Sequence, residues 1–164
     1  MTPQRQKGLT LIEVMIALAV FSFGLLALAA LMASGLKYNT SALHRSYATS
    51  QAYDMADRMR ANRLGVELGH YDNLGDSSTV LNCPWFGSES DSDINNDCDI
   101  NCSPEEMAQY DARQWNNDNA CLLPEGTGTV SRKPSDPDVY TIKVSWNDRN
   151  PDNAAESFVF EFQP

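Results

Sequence analysis

The sequence predicts an α+β fold, with one long N-terminal helix laid across a C-terminal antiparallel sheet. Three observations carry that expectation. No proline occurs between Pro3 and Pro84, and apolar residues recur at helical spacing to about residue 62. Near the C-terminus, two runs alternate aromatic or aliphatic residues with polar ones. Between these regions, Ser103-Pro104-Glu105-Glu106 has the composition of a helix start.

The first element opens with an apolar run from Leu9 to Ala33, interrupted only by Thr10, Glu13, Ser22 and Gly24. As a helix it spans about 37 Å, enough to cross a hydrocarbon core of about 30 Å. A secretory signal with Arg5 and Lys7 as its basic region fits poorly. Such signals carry about 7–15 apolar residues and no carboxylate near their start. Glu13 is therefore the informative residue. An unpaired acid in the bilayer costs roughly 2.5–3.5 kcal/mol or more, so it requires a cationic partner. Basic residues on either side of the run nearly balance (Arg5 and Lys7 against Lys37 and Arg45) and leave orientation open. The cysteines orient it better. Cys83, Cys98, Cys102 and Cys121 are even in number and lie in a loop-rich region, which suits disulfides formed outside the cytoplasm.

The same helix continues over 34–62. Leu43, Tyr47, Ala48, Ala52, Met55, Ala56 and Met59 form a stripe at three- and four-residue spacing. Asp54 with Arg58 and Asp57 with Arg60 are helix-favourable pairs, and Asn62 and Gly65 are stop signals. Residues 64–102 read as a long loop with short elements. The second helix runs from Ser103 to about Asp118, with Met107, Tyr110 and Trp115 on its buried side. Thr127–Lys133 forms a first strand. Tyr140, Ile142, Val144 and Trp146 alternate in a second, Phe158, Phe160 and Phe162 in a third, and 147–155 is their hairpin loop. These strands give a sheet with one greasy side, which the stripe on the long helix would cover.

A head of about 100 residues buries one modest core. The net charge of −10 excludes direct electrostatic binding of nucleic acid, and loss of Arg5 and Lys7 would make the chain more acidic still. Asp91, Asp93, Asn95 and Asp97 stand at the alternate positions of a calcium loop, but Asn96 replaces the turn glycine and Cys102 the bidentate glutamate. A hydrated acidic loop held by a disulfide is the simpler reading. Zinc is disfavoured because the cysteines lack paired C-x2-C knuckles. Three disulfide connectivities remain possible; a tight Cys98–Cys102 loop favours Cys83–Cys98 with Cys102–Cys121. His44 and His70 read as surface residues without a nucleophile beside them, and neither a catalytic constellation nor a cofactor motif is present.

A basic leader, Gly8, and then Leu9-Thr10-Leu11-Ile12-Glu13-Val14 within a membrane-length helix resembles the N-terminal signal of the type IV pilin family and its pseudopilin relatives. The resemblance implies a pilin-like fold and cleavage of leader 1–8 after Gly8 by a prepilin peptidase. It also implies N-methylation of Leu9, and retention of 9–33 as a transmembrane and assembly segment. The new α-amino group would lie within about one turn of Glu13, so that Glu13 of one subunit neutralises the amine of its neighbour. The 52–62 segment (Ala52-Tyr53-Asp54-Met55-Ala56-Asp57-Arg58-Met59-Arg60-Ala61-Asn62), the Cys102–Trp115 segment and the strand entered at Gly126 are similar to minor pilins of the PilV type. That similarity implies a non-catalytic subunit that primes pilus assembly with other minor pilins and the major pilin. Its partners would include the inner-membrane assembly machinery, and its 63–164 head would lie in the periplasm and later on the extracellular pilus. Two features depart from the family pattern. Leu9 stands where phenylalanine is usual, and all four cysteines precede the final strands, unlike the C-terminal disulfide loop of main shaft subunits. A minor pseudopilin of a type II secretion system and a membrane-tethered calcium-binding adhesin are the competing readings.

Overall fold

The computed structural model describes residue 8, residues 10–75, residues 83 and 98, residues 101–148 and residues 155–164. Helix α1 is Leu11–Ala61, and the chain divides into two compact units, Met1–Thr40 and Ser41–Pro164. In the first unit every described residue is exposed, including Leu11, Ile12, Phe21, Phe23 and Leu31. This part of α1 is long and apolar enough to cross a membrane.

The second unit is α+β. Helix α2 (Arg63–Glu67), strand β1 (Asn73–Leu74), helix α3 (Pro104–Leu122) and strands β2 (Thr127–Lys133), β3 (Asp136–Trp146) and β4 (Glu156–Phe162) follow α1. The four strands form one antiparallel sheet in the order β1-β2-β3-β4. Its register sets Tyr140 opposite Phe162, Ile142 opposite Phe160 and Val144 opposite Phe158, so the alternating apolar residues share one face. The helix stripe Ala48, Ala52, Met55, Ala56 and Met59 is fully buried in one core with these residues, Val130, Trp115 and Trp146. Alanines at four-residue intervals let the helix backbone approach the sheet closely, and the two methionines fill the remaining irregular space.

The N-terminal end of the expected stripe differs. Leu43 is 49% exposed and Tyr47 is 37% exposed. At this level the helix meets the β3–β4 end of the sheet through polar pairs: His44 Nδ1 lies 2.7 Å from Asp148 Oδ1, and Arg45 lies 3.2 Å from Glu156. His44 is thus a largely buried hydrogen-bond partner of Asp148 rather than a surface residue.

Asn62 ends α1 by becoming the N-cap of α2, its side chain accepting from the Gly65 amide. A Cβ at Gly65 would overlap that Asn62 amide, so the stop signal is a paired device. Helix α3 starts on the expected capping box, with Ser103 and Glu106 bonding reciprocally. It continues four residues beyond Asp118, and Met107 and Tyr110 are only half-buried. Its buried side is Ala108, Asp111, Ala112, Trp115, Asn116, Asn117 and Asn119. The Trp115 indole donates to Gln51 O on α1 at 2.8 Å, and Asn116 accepts from Gly128 N on β2 at 2.7 Å. A Cβ at Gly128 would overlap the Trp115 ring, so only glycine lets β2 pass there.

Candidate processing and assembly site

Gly8 and Thr10 are exposed, and Leu9 lies outside the described residues. Glu13 is the third residue of α1 and exposed; its amide and that of Val14 both donate to Thr10 O, at 3.1 and 3.3 Å. A carboxylate in a first helical turn also meets the positive end of the helix dipole, and Thr10 and Glu13 stand at capping-box spacing. The residue can therefore serve its own helix as well as a neighbouring chain. These two roles are chemically separable, because glutamine can cap but cannot carry charge.

The head is held to the second half of α1 by a polar network of which the sequence announced only the Asp54–Arg58 pair. Arg58 bonds Asp54 at 2.7 Å, Gln114 at 3.0 Å and Asp111 at 3.4 Å, and lies 4.0 Å from Asp118. Burial works to lower the Arg58 pKa, but the hydrogen bond and charge of Asp54, with those of Asp111, raise it overall. Tyr71 donates to Asp111 at 2.6 Å, and Asn62 donates to Tyr71 Oη at 3.1 Å and to Pro104 O at 2.8 Å. Burial holds the Tyr71 phenol well above its usual range, and the Asp111 bond adds to the rise. Burial likewise lifts the Asp118 carboxyl, with Arg58 pulling against it. This cluster ties α1, the turn after α2 and helix α3 together.

A second cluster fastens that turn to the sheet. Arg132 donates to Asp72 at 2.8 Å and to Tyr140 Oη at 2.7 Å, while Tyr140 donates to Asp72 at 2.7 Å. Tyr140 is pushed up to about 12, first by burial and then by its bond to Asp72. The one signal that could have located these groups was the density of arginine and aspartate near residues 54–72, which reads equally as a solvated surface.

All four cysteines are bonded, but in a pairing different from the expected one. Cys83 joins Cys121 with Cα atoms 5.5 Å apart, and Cys98 joins Cys102 at 5.2 Å. The reason is the length of α3. Cys102 precedes its N-cap and Cys121 sits in its last turn, so the helix holds them about 28 Å apart, far beyond the 4.4–6.8 Å a disulfide spans. Asp91, Asp93, Asn95 and Asp97 lie outside the described residues. His70 is half-buried, its amide donating to Gly65 O at 2.9 Å.

One family profile, the prokaryotic N-terminal methylation motif, matches residues 3–29. No curated protein and no solved structure matches the chain. The matched stretch contains Gly8, Leu9 and Glu13, and members of the family in which this motif occurs are structural and non-catalytic. The methylation motif and the apolar helix fit a membrane-anchored pilin and imply assembly with pilus components and a prepilin peptidase. Together with the long helix packed on a four-stranded antiparallel sheet, they support a type IV pilin-like protein, of a pilus or a pseudopilus.

Proposed function

We propose that the chain is a minor pilin, a non-catalytic subunit that helps to prime type IV pilus assembly and enters the filament at low abundance near its tip. The observation that carries this reading is the coincidence of Gly8, Leu9 and Glu13 within the matched methylation motif, at the start of a long helix whose second half packs in the head. A prepilin peptidase cuts after Gly8, and Leu9 becomes the methylated N-terminus. The subunit then waits as a single-pass inner-membrane protein with its head in the periplasm. During assembly, Glu13 meets the terminal amine of an adjacent subunit. In a low-dielectric bundle an unmatched charge is expensive, so this pairing fixes axial register and penalises sliding.

The test uses two substitutions. Glu13→Ala and Glu13→Gln should both leave leader cleavage largely intact, and both should abolish incorporation into filaments, measured by immunoblot of sheared pili. If Glu13→Gln assembles normally while Glu13→Ala does not, Glu13 is a helix cap and the pairing is wrong. If both assemble, Glu13 has no role in register.

The methylation motif suits a pseudopilus equally, so a minor pseudopilin of a type II secretion system is the second reading. Co-purification of the membrane-extracted chain with minor pilins, and not with minor pseudopilins, supports the first; the reverse result supports the second.

A further inference from the structure

Two registers of the N-terminal helix in a bilayer have nearly the same length. The apolar run 9–33 spans about 37 Å and the stretch 14–36 about 35 Å, either one enough for a hydrocarbon core of about 30 Å. They differ in what they bury. The first places Glu13 about 6 Å inside its end and leaves Leu36 outside. The second is bounded by Glu13 on one side and by Lys37 and Tyr38 on the other, and it holds no formal charge.

The polar side chains inside the second register are satisfied by the helix itself. Ser22 Oγ donates to Leu18 O at 2.7 Å, and Ser34 Oγ donates to Ala30 O at 3.1 Å. A hydroxyl bonded back to the preceding turn asks nothing of lipid. Every residue from 14 to 36 is exposed, so α1 offers an unbroken apolar surface over this stretch. The composition then turns at once, with Lys37, Tyr38, Asn39, Thr40 and Ser41 in succession. Lys37 is exposed and Tyr38 is 76% exposed. A cation and an amphipathic ring side by side are what holds a helix at headgroup level.

We propose that the unassembled subunit rests in the second register, with Glu13 in one headgroup layer and Lys37 and Tyr38 in the other, the Lys37 ammonium against phospholipid phosphate. A tilt of about 30° fits about 35 Å of helix into about 30 Å of hydrocarbon, within the range usual for membrane helices. Glu13 then stays solvated until assembly carries it into a bundle of helices. Its demand for a cationic partner arises only there, where the charge loses its water. The inference rests on the membrane anchoring in the proposed function and adds the depth at which the helix sits.

The test reconstitutes the full-length chain in vesicles of phosphatidylethanolamine and phosphatidylglycerol, dilute enough to keep subunits apart. The native cysteines are all paired, so a single introduced cysteine, moved stepwise over positions 17–29, carries a nitroxide. Its collisions with oxygen, compared with those with a water-soluble nickel chelate, read its depth. The deepest label is expected at Leu25, midway between Glu13 and Lys37. Glu13→Leu should move that point about two to three residues toward the N-terminus, because the apolar run then extends to Leu9. In addition, 15N-labelled lysine should show dipolar coupling to lipid phosphorus that falls in Lys37→Gln. A deepest label at Phe21, a profile that Glu13→Leu leaves in place, or coupling unchanged in Lys37→Gln would overturn the inference. Alkaline carbonate treatment of native membranes separates the two readings: a chain that resists extraction while its deepest label lies at Phe21 loses only the depth, and a chain that washes off loses both.

Discussion

The two halves of α1 are built from the same kind of residue and behave oppositely. From Leu11 to Thr40 every residue is exposed, although Leu, Ile, Val, Phe and Ala dominate. From Ala48 to Met59 the apolar residues at three- and four-residue spacing are fully buried. The difference lies in shape rather than hydrophobicity. The first half is apolar all round and bulky, which suits lipid or several neighbouring helices. The second half confines its apolar residues to one stripe of alanine and methionine, which suits a single sheet and a helix crossing it. One continuous helix therefore serves two solvents, and side-chain size shows where one gives way to the other.

Several substitutions would break or sharpen this contrast, and the largest effect is expected at Arg58. Arg58→Ala leaves Asp111, whose side chain is 8% exposed, without its cation, and should cost about 3–5 kcal/mol in urea unfolding of the head. Met55→Ala comes next, at about 2–5 kcal/mol, because it opens a cavity in the helix–sheet seam. Its counterpart Leu26→Ala should not move head unfolding at all, because Leu26 is 67% exposed and belongs to the other compact unit. A smaller difference separates the two disulfides. Cys83–Cys121 has a sequence separation of 38 and Cys98–Cys102 one of 4, so chain entropy assigns them about 4 and about 2 kcal/mol. Paired serine replacements, compared by chemical denaturation, check the order.

The smallest effect concerns pH. Burial raises the Asp118 carboxyl above its ordinary value, so the folded state holds this proton more tightly than the unfolded chain does. That contribution is fully present below the unfolded pKa and is lost as pH rises through the folded one. Asp118→Asn cannot ionise and should therefore raise the head's Tm at neutral pH, by less than about 1 kcal/mol in stability. The gain should vanish in acid, below the ordinary aspartate range. A gain that persists there would assign it to something other than titration.

Regular elements were legible in the sequence because their signals are local. The capping box at Ser103 and Glu106, and the alternation in β3 and β4, need only neighbouring residues to be read. The polar core was not legible. Tyr71 is fully buried inside what reads as a loop, because its partner Asp111 lies 40 residues away. Asn116 and Asn119 are buried on α3, where a search for apolar periodicity passes over them. His44 was misplaced for a similar reason, its partner Asp148 being 104 residues distant. The disulfide pairing differs in kind, since the expected length of α3 already separated Cys102 from Cys121. At the N-terminus Gly8, Leu9 and Glu13 were read from a short local motif, and all three fall within the matched stretch 3–29.

Intact-mass and terminal-fragment spectrometry of the chain isolated from its native membrane tests the central claim most directly. The account predicts a protein that begins at Leu9 and carries a methyl group on that residue's nitrogen. A protein that still begins at Met1, or one trimmed past the apolar stretch, would contradict it.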